Sequence, residues 1–201
     1  MALVFQWSVS GSKALKPLLR QAAARWSAAL SGGPGLLVEV KTAALDGFNG
    51  ELAETQLLEV DVVTGLPLRA AITVDKLDLK LLLRTKGGRR EVSTVLAHEL
   101  GHSLGYGALW AGKGLSDAAG YLGGGGVREY QVLGGRGDRV PLEQAGGAGT
   151  AQVHWSEQSF GRELMTPEVD RGRSPISRMT LGAMEDLGYA VNWSAAEPYS
   201  F

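Results

Sequence analysis

Cysteine is absent from the 201 residues, which excludes disulfides, thiolate metal sites and a cysteine nucleophile. An excess of one charge is absent too, because 20 lysines and arginines face 21 aspartates and glutamates. The net charge of -1 gives no electrostatic reason to expect nucleic acid or an anionic membrane as partner. The one basic knot, Lys86 to Arg90, is short and reads as a solvated turn. No apolar run reaches the roughly 18–20 residues that span a bilayer, so no membrane span is expected. The start, MALVFQWSVSGS, lacks the basic segment and longer apolar stretch of a secretory leader. An intracellular chain and a secreted one whose leader has been removed both fit that start, so the compartment is not read. No Gly-x-Ser-x-Gly elbow occurs, which argues against a serine hydrolase. The glycines at 123 to 126 lack a following Lys-Ser/Thr, so they are not a phosphate loop. The tripeptide Arg136-Gly137-Asp138 is read as a chance occurrence in a glycine-rich loop rather than an adhesion signal.

What is present fits one globular domain with a sizeable core, at 44% hydrophobic and 20% charged residues. Nothing specifies an oligomer, and a monomer is the expectation. Phe5 to Val9 reads as a strand. Leu15, Leu18, Leu19, Ala22, Ala23, Trp26 and Leu30 then mark one face of a helix over 12–31. Ser12 is the candidate N-cap, and Gly32-Gly33 the stop. Between 35 and 84 the pattern is β-like, with strands expected at 36–43, 57–63 and 69–75 and a turn at Gly65 and Pro67. A helix is expected at 91–105. The stretch 106–150 is rich in glycine and poor in periodicity, the character of a functional loop or mobile segment. Residues 177–189 read as a final helix, capped by Ser177 and closed by Gly188. Trp26 and Trp110 are expected in the core.

Two of only three histidines fall in TVLAHELGHSLGYGALW, residues 94 to 110. His98 and His102 are four apart, so on a helix they lie about 40° apart on one face and can bind the same ion. Leu96, Leu100 and Leu104 form a separate apolar stripe, about 200° from the histidines, which turns the imidazoles toward a cleft. Glu99 is placed to reach a water rather than the metal, as a general base would. A catalytic zinc takes three protein ligands and keeps a fourth position open. Taken alone the pattern is moderately specific. The third histidine, His154, lies within QVHWSEQSFGRELMTPEVD.

With these residues the chain resembles the leishmanolysin-like metzincin metallopeptidases. Most metzincins carry the third histidine six residues after the second, where this chain has Ala108. Leishmanolysin-like enzymes interrupt the motif with a long insertion and supply the histidine afterwards. Here 51 residues separate His102 from His154. The resemblance therefore implies that His98, His102 and His154 hold one catalytic Zn2+, with Glu99 as catalytic base. It also implies that Met165, in ELMTP, forms a supporting methionine turn beneath the metal. The implied fold is α+β: an N-terminal lobe (1–105) of twisted sheet plus two helices, and a C-terminal lobe (106–201) largely irregular with one terminal helix. The active-site cleft lies between them, and residues 1–201 form one catalytic domain. The substrate would be an extended peptide or unfolded protein, paired with an edge strand within Leu68 to Val74. The chain departs from disulfide-rich eukaryotic members in having no cysteine.

Other readings stay beside this one. A binding or structural module could use zinc only to fasten two lobes, although such a site needs no Glu99. If His154 were not the ligand, Glu129, Glu143 or Glu157 would take its place.

Overall fold

The computed structural model describes residues 3–48, 50–147, 149–168 and 173–201. Strand β1 (Phe5–Val9) leads into helix α1 (Leu15–Ala29), which buries the apolar face marked by its spacing, from Leu15 through Trp26 to Ala29. The helix starts later than Ser12 suggests. Ala14 stands at the N-cap with helical dihedrals and no side-chain bond, and Ser12 contributes only its carbonyl, which accepts from the Leu15 N–H at 3.2 Å. The helix ends at Ala29 because Leu30–Ser31 turn extended as β2.

Strands β3 (Leu36–Ala43), β4 (Ala53–Val60) and β5 (Pro67–Asp75) complete a four-stranded sheet of order β1-β3-β5-β4. β1, β3 and β5 are parallel, and β4 runs antiparallel to β5. Two expectations are corrected here. The strand expected at 57–63 lies at 53–60, because Asp61 accepts from the Val63 and Thr64 N–H groups and closes a turn. That turn leaves Val62 and Val63 97% and 88% exposed. Leu68 to Val74, expected at an edge, lies inside the sheet between β3 and β4. The physical reason is composition: β5 buries Ala70, Ile72, Thr73 and Val74, whereas β4 carries Glu54, Gln56 and Glu59 and is suited to solvent. The edge beside β5 is β4, and β1 forms the other edge of the sheet.

A short helix not expected from the sequence, α2 (Lys76–Leu82), follows β5. Asp75 caps it, accepting from the Leu77 and Asp78 N–H groups. Helix α3 (Gly88–Ser103) starts three residues before its expected position, behind Gly87 at φ +91°. Leu96, Leu100 and Leu104 are all fully buried, and the Trp26 indole donates to the Ala97 carbonyl at 2.7 Å, tying α1 to α3. The N-terminal part thus holds three helices, not two.

The glycine-rich stretch is more ordered than its composition suggests. Strands β6 (Ser116–Asp117) and β7 (Gly120–Tyr121) form a small hairpin, and helix α4 (Gly124–Val132) follows. After α5 (Glu157–Phe160) come the final helix α6 (Arg178–Leu187) and β8 (Ala190–Val191), which pairs with β2. Ser177 and Gly188 cap α6 as the sequence indicates. The expectation of one helix in this part is corrected by α4 and α5. The glycines that hid α4 are what let it pack: a Cβ on Gly182 would lie 2.4 Å from the Gly125 carbonyl oxygen. Asp186 of α6 then accepts from the Gly125 and Gly126 N–H groups and the Tyr121 hydroxyl, capping α4 from outside. Among the described residues no helix is long and apolar enough to cross a membrane.

Candidate metal centre

Helix α3 presents His98 and His102 on one face, one turn apart. His154 reaches them from the far side of the insertion. Its carbonyl accepts from the Glu143 N–H, and an isolated bridge pairs Leu142 with Trp155. Gln152, two residues earlier, holds a left-handed φ of +67°. The three Nε2 atoms form a near-equilateral triangle, 3.0 Å from His98 to His102, 3.0 Å from His98 to His154 and 2.9 Å from His102 to His154.

The other ring nitrogens decide what that triangle is. His98 Nδ1 lies 2.7 Å from the Leu164 carbonyl, His102 Nδ1 3.1 Å from that of Tyr106, and His154 Nδ1 2.9 Å from that of Thr150. A carbonyl can only accept, so each Nδ1 carries the proton and each Nε2 presents a bare lone pair. No hydrogen bond can then join the Nε2 atoms. Three lone pairs at this spacing repel one another unless a cation lies among them. The triangle is close to the roughly 3.3 Å separation that Zn–N bonds of about 2.0–2.1 Å impose on tetrahedral donors. The donor set therefore fits a metal, and among the described residues it is the one group of three or more candidate ligands.

Met165 lies beneath this helix, fully buried. A Cβ on Gly101 would stand 2.7 Å from the Met165 sulfur, so the glycine between the two histidine turns is what admits it. The residue before it, Leu164, supplies the carbonyl that orients His98.

The family profile of leishmanolysin matches residues 137–200, the stretch that holds His154, Met165 and α6. Over that stretch the chain is similar to the leishmanolysin family. It is 45% identical over 62 residues to a leishmanolysin-like peptidase of Drosophila pseudoobscura pseudoobscura, and 44% over 62 residues to that of Drosophila melanogaster. Each similarity covers 30% of this chain and 9% of the relative. His98, Glu99 and His102 lie outside the stretch that the leishmanolysin profile matches, and it is the tertiary structure that brings His154 to them. Leishmanolysin-like proteins are peptidases as a family, and a metal-binding histidine group is consistent with that.

Burial sets the protonation of this centre. Desolvation pushes His98 down to about 3, with His154 adding to the effect. The same cause holds His102 well below its usual value and lowers His154. All three imidazoles are thus neutral at ordinary pH, the form that ligates. Glu99 is moved the other way: burial raises its carboxyl to about 8, against a hydrogen bond from Thr55. The Thr55 hydroxyl, on β4, lies 2.6 Å from Glu99 Oε2 and 3.1 Å from the Glu99 carbonyl. His98, Glu99, His102 and His154 all line one cleft, which continues along β4 from Glu51 to Leu57.

The alternative third ligands are engaged elsewhere. Glu129 accepts from Arg128 and Arg178. Glu143 accepts from the Gln144, Ala145 and Glu157 N–H groups. Glu157 accepts from the Glu168 N–H at 3.2 Å. The reading from sequence missed Thr55 and the carbonyls of Tyr106, Thr150 and Leu164. A backbone acceptor has no side-chain signature, and Thr55 meets Glu99 only because β4 packs against α3.

Proposed function

We propose that this chain is a zinc-dependent endopeptidase whose residues 1–201 form one catalytic domain. The observation that carries this reading is the triangle of bare Nε2 lone pairs with Glu99 beside it in an open cleft. His98, His102 and His154 would hold one zinc ion. Zinc, when bound, supplies Lewis acidity that polarises a carbonyl and brings the pKa of water toward about 7. Glu99 accepts the proton of the attacking water and passes it to the leaving amine. Thr55 keeps the carboxylate turned to the cleft. Met165 supports the histidine helix and takes no part in the chemistry.

The substrate reading is an extended peptide or unfolded protein lying along β4, the edge strand that lines the histidine cleft. Main-chain pairing of that kind tolerates many sequences, with side-chain pockets adding preference. A structural module that merely fastens two segments would not need a carboxylate beside its metal on the open side.

The test is cleavage of a denatured, unstructured protein by the zinc-loaded chain. Cleavage that a chelator abolishes and zinc restores is the expected result. A folded, zinc-containing chain that cuts no such substrate would sink the reading.

A further inference from the structure

We propose that Glu163 is a positioning residue for the metal centre, holding the turn at 163–166 and helix α6 in the one arrangement that both aims His98 and seats His154. This rests on the reading that the three histidines hold a metal.

Glu163 is fully buried, and its carboxylate joins two chain segments, its own turn and the start of α6. Oε2 accepts the Met165 N–H at 2.5 Å, fixing the turn. Oε1 accepts the Ser177 N–H at 3.0 Å, the Ser177 hydroxyl at 2.7 Å and the Thr180 hydroxyl at 2.6 Å, fixing α6. The proton directions are determined. Ser177 Oγ already accepts the Thr180 N–H, and Thr180 Oγ1 accepts the Trp155 indole N–H at 2.8 Å. Each hydroxyl therefore has its own proton to give to the carboxylate. Four donors converge on one side chain, which matches an ionised carboxylate. Burial raises its pKa while these bonds oppose the rise.

Both routes out of this junction end at a histidine. The turn it holds contains the Leu164 carbonyl, 2.7 Å from His98 Nδ1. The same turn contains the Met165 carbonyl, which accepts the backbone N–H of Trp155, the residue after His154, at 3.0 Å. Through Thr180 the carboxylate also fixes the Trp155 indole. His98 and His154 are 56 positions apart in the chain, and this junction refers them to one another. A buried carboxylate is a weak source of net stability, because an apolar replacement of like volume often serves as well. Its value here is directional, since four oriented donors define one geometry for two ligands.

The experiment measures zinc affinity by chelator competition and the visible absorption of the cobalt-substituted chain. Glu163→Gln keeps size but presents an amide where an acceptor for four donors is needed. Thr180→Val removes one donor and leaves the Trp155 indole unpaired. Leu36→Ala, in the sheet core on β3, serves as a control for general loosening. The expected result is zinc affinity about 10- to 100-fold weaker in Glu163→Gln, the range for a group that orients a metal ligand. The cobalt absorption band should shift, and Thr180→Val should fall between this variant and wild type. Leu36→Ala should lower Tm and leave affinity and spectrum unchanged. Wild-type affinity and spectrum in both Glu163→Gln and Thr180→Val would overturn the proposal. So would an affinity loss in Leu36→Ala matching its loss of Tm. If Glu163→Gln does not fold, Thr180→Val decides alone, with unchanged affinity overturning the proposal. A wild-type chain that takes up no cobalt would overturn the metal reading together with this one.

Discussion

Helix α3 holds His98 and His102 through its own periodicity, whereas His154 sits on a chain path that has none. On the helix, four residues make one turn, and the two rings share a face wherever the helix forms. The Leu96, Leu100 and Leu104 stripe secures the opposite side, and Gly101 lets Met165 close beneath. His154 depends instead on single contacts: the strained Gln152, the pairing around Glu143 and the hold on Trp155. The comparison teaches that a three-histidine centre can be part regular and part irregular while keeping its Nε2 atoms within 3.0 Å of one another. Precision on the irregular side comes from hydrogen bonds in a dry interior, where an unmade bond is costly.

The sharpest test of the helical side is Glu99→Gln. We expect zinc to stay bound and turnover to fall by about 10²–10⁴-fold, read as kcat on an unstructured substrate with metal content measured alongside. Turnover within a few-fold of wild type would remove Glu99 from the chemistry. On the irregular side, His154→Ala should weaken zinc binding by more than about 100-fold, exceeding the loss for groups that only orient a ligand. Equal affinity in that variant would detach His154 from the centre and leave α3 as the whole of it.

Acid should strain both sides together. His98 ionises at about 3 when folded and at 6.5 when free, so between those values the unfolded chain binds the extra proton. Its contribution to stability is complete above pH 6.5 and drains as pH falls toward 3, by up to about 1.4 kcal/mol per pH unit. His102 and His154 are shifted in the same direction. Glu99, raised from 4.5 to about 8, opposes them: its contribution is present below 4.5 and is lost as pH rises through 8. The buried Glu163 carboxyl, also raised, adds to its side, but three imidazoles outweigh the two carboxyls, so Tm of the metal-free chain should fall as pH goes from 6.5 to 5. A flat profile there would mean that the imidazoles are not buried neutral.

Two smaller effects separate packing under α3 from packing of the insertion. Gly182→Ala should cost about 1–3 kcal/mol, because its Cβ would meet the backbone of Gly125, which cannot swing aside. Gly101→Ala should cost less, because the Met165 thioether it meets can adopt another rotamer. Thermal unfolding of the pair gives the order, and the reverse order would mean that the methionine turn is the stiffer contact. Smallest of all, Asp186→Ala should cost about 1 kcal/mol as a lost cap. Faster hydrogen exchange confined to the start of α4 would show that Asp186 anchors the insertion, and unchanged exchange there would deny it.

Local pattern settled much of this molecule. The 3.6-residue spacing marked the buried faces of α1 and α3, and Ser177 and Gly188 marked the ends of α6, because those signals act within a few residues. The pairing of His98 with His102, and Glu99 beside them, follows from helix geometry alone. Only the tertiary structure decided the rest. Polar β4, not β5, takes the sheet edge, because strand order depends on which faces other elements cover. Glycines at 124–126 lie in a stretch read as a loop yet open a helix, since their worth lies in the approach of α6 and the carboxylate of Asp186. His154 joins the other two across 51 residues through backbone carbonyls and the Glu163 junction, contacts that exist only once distant segments have packed.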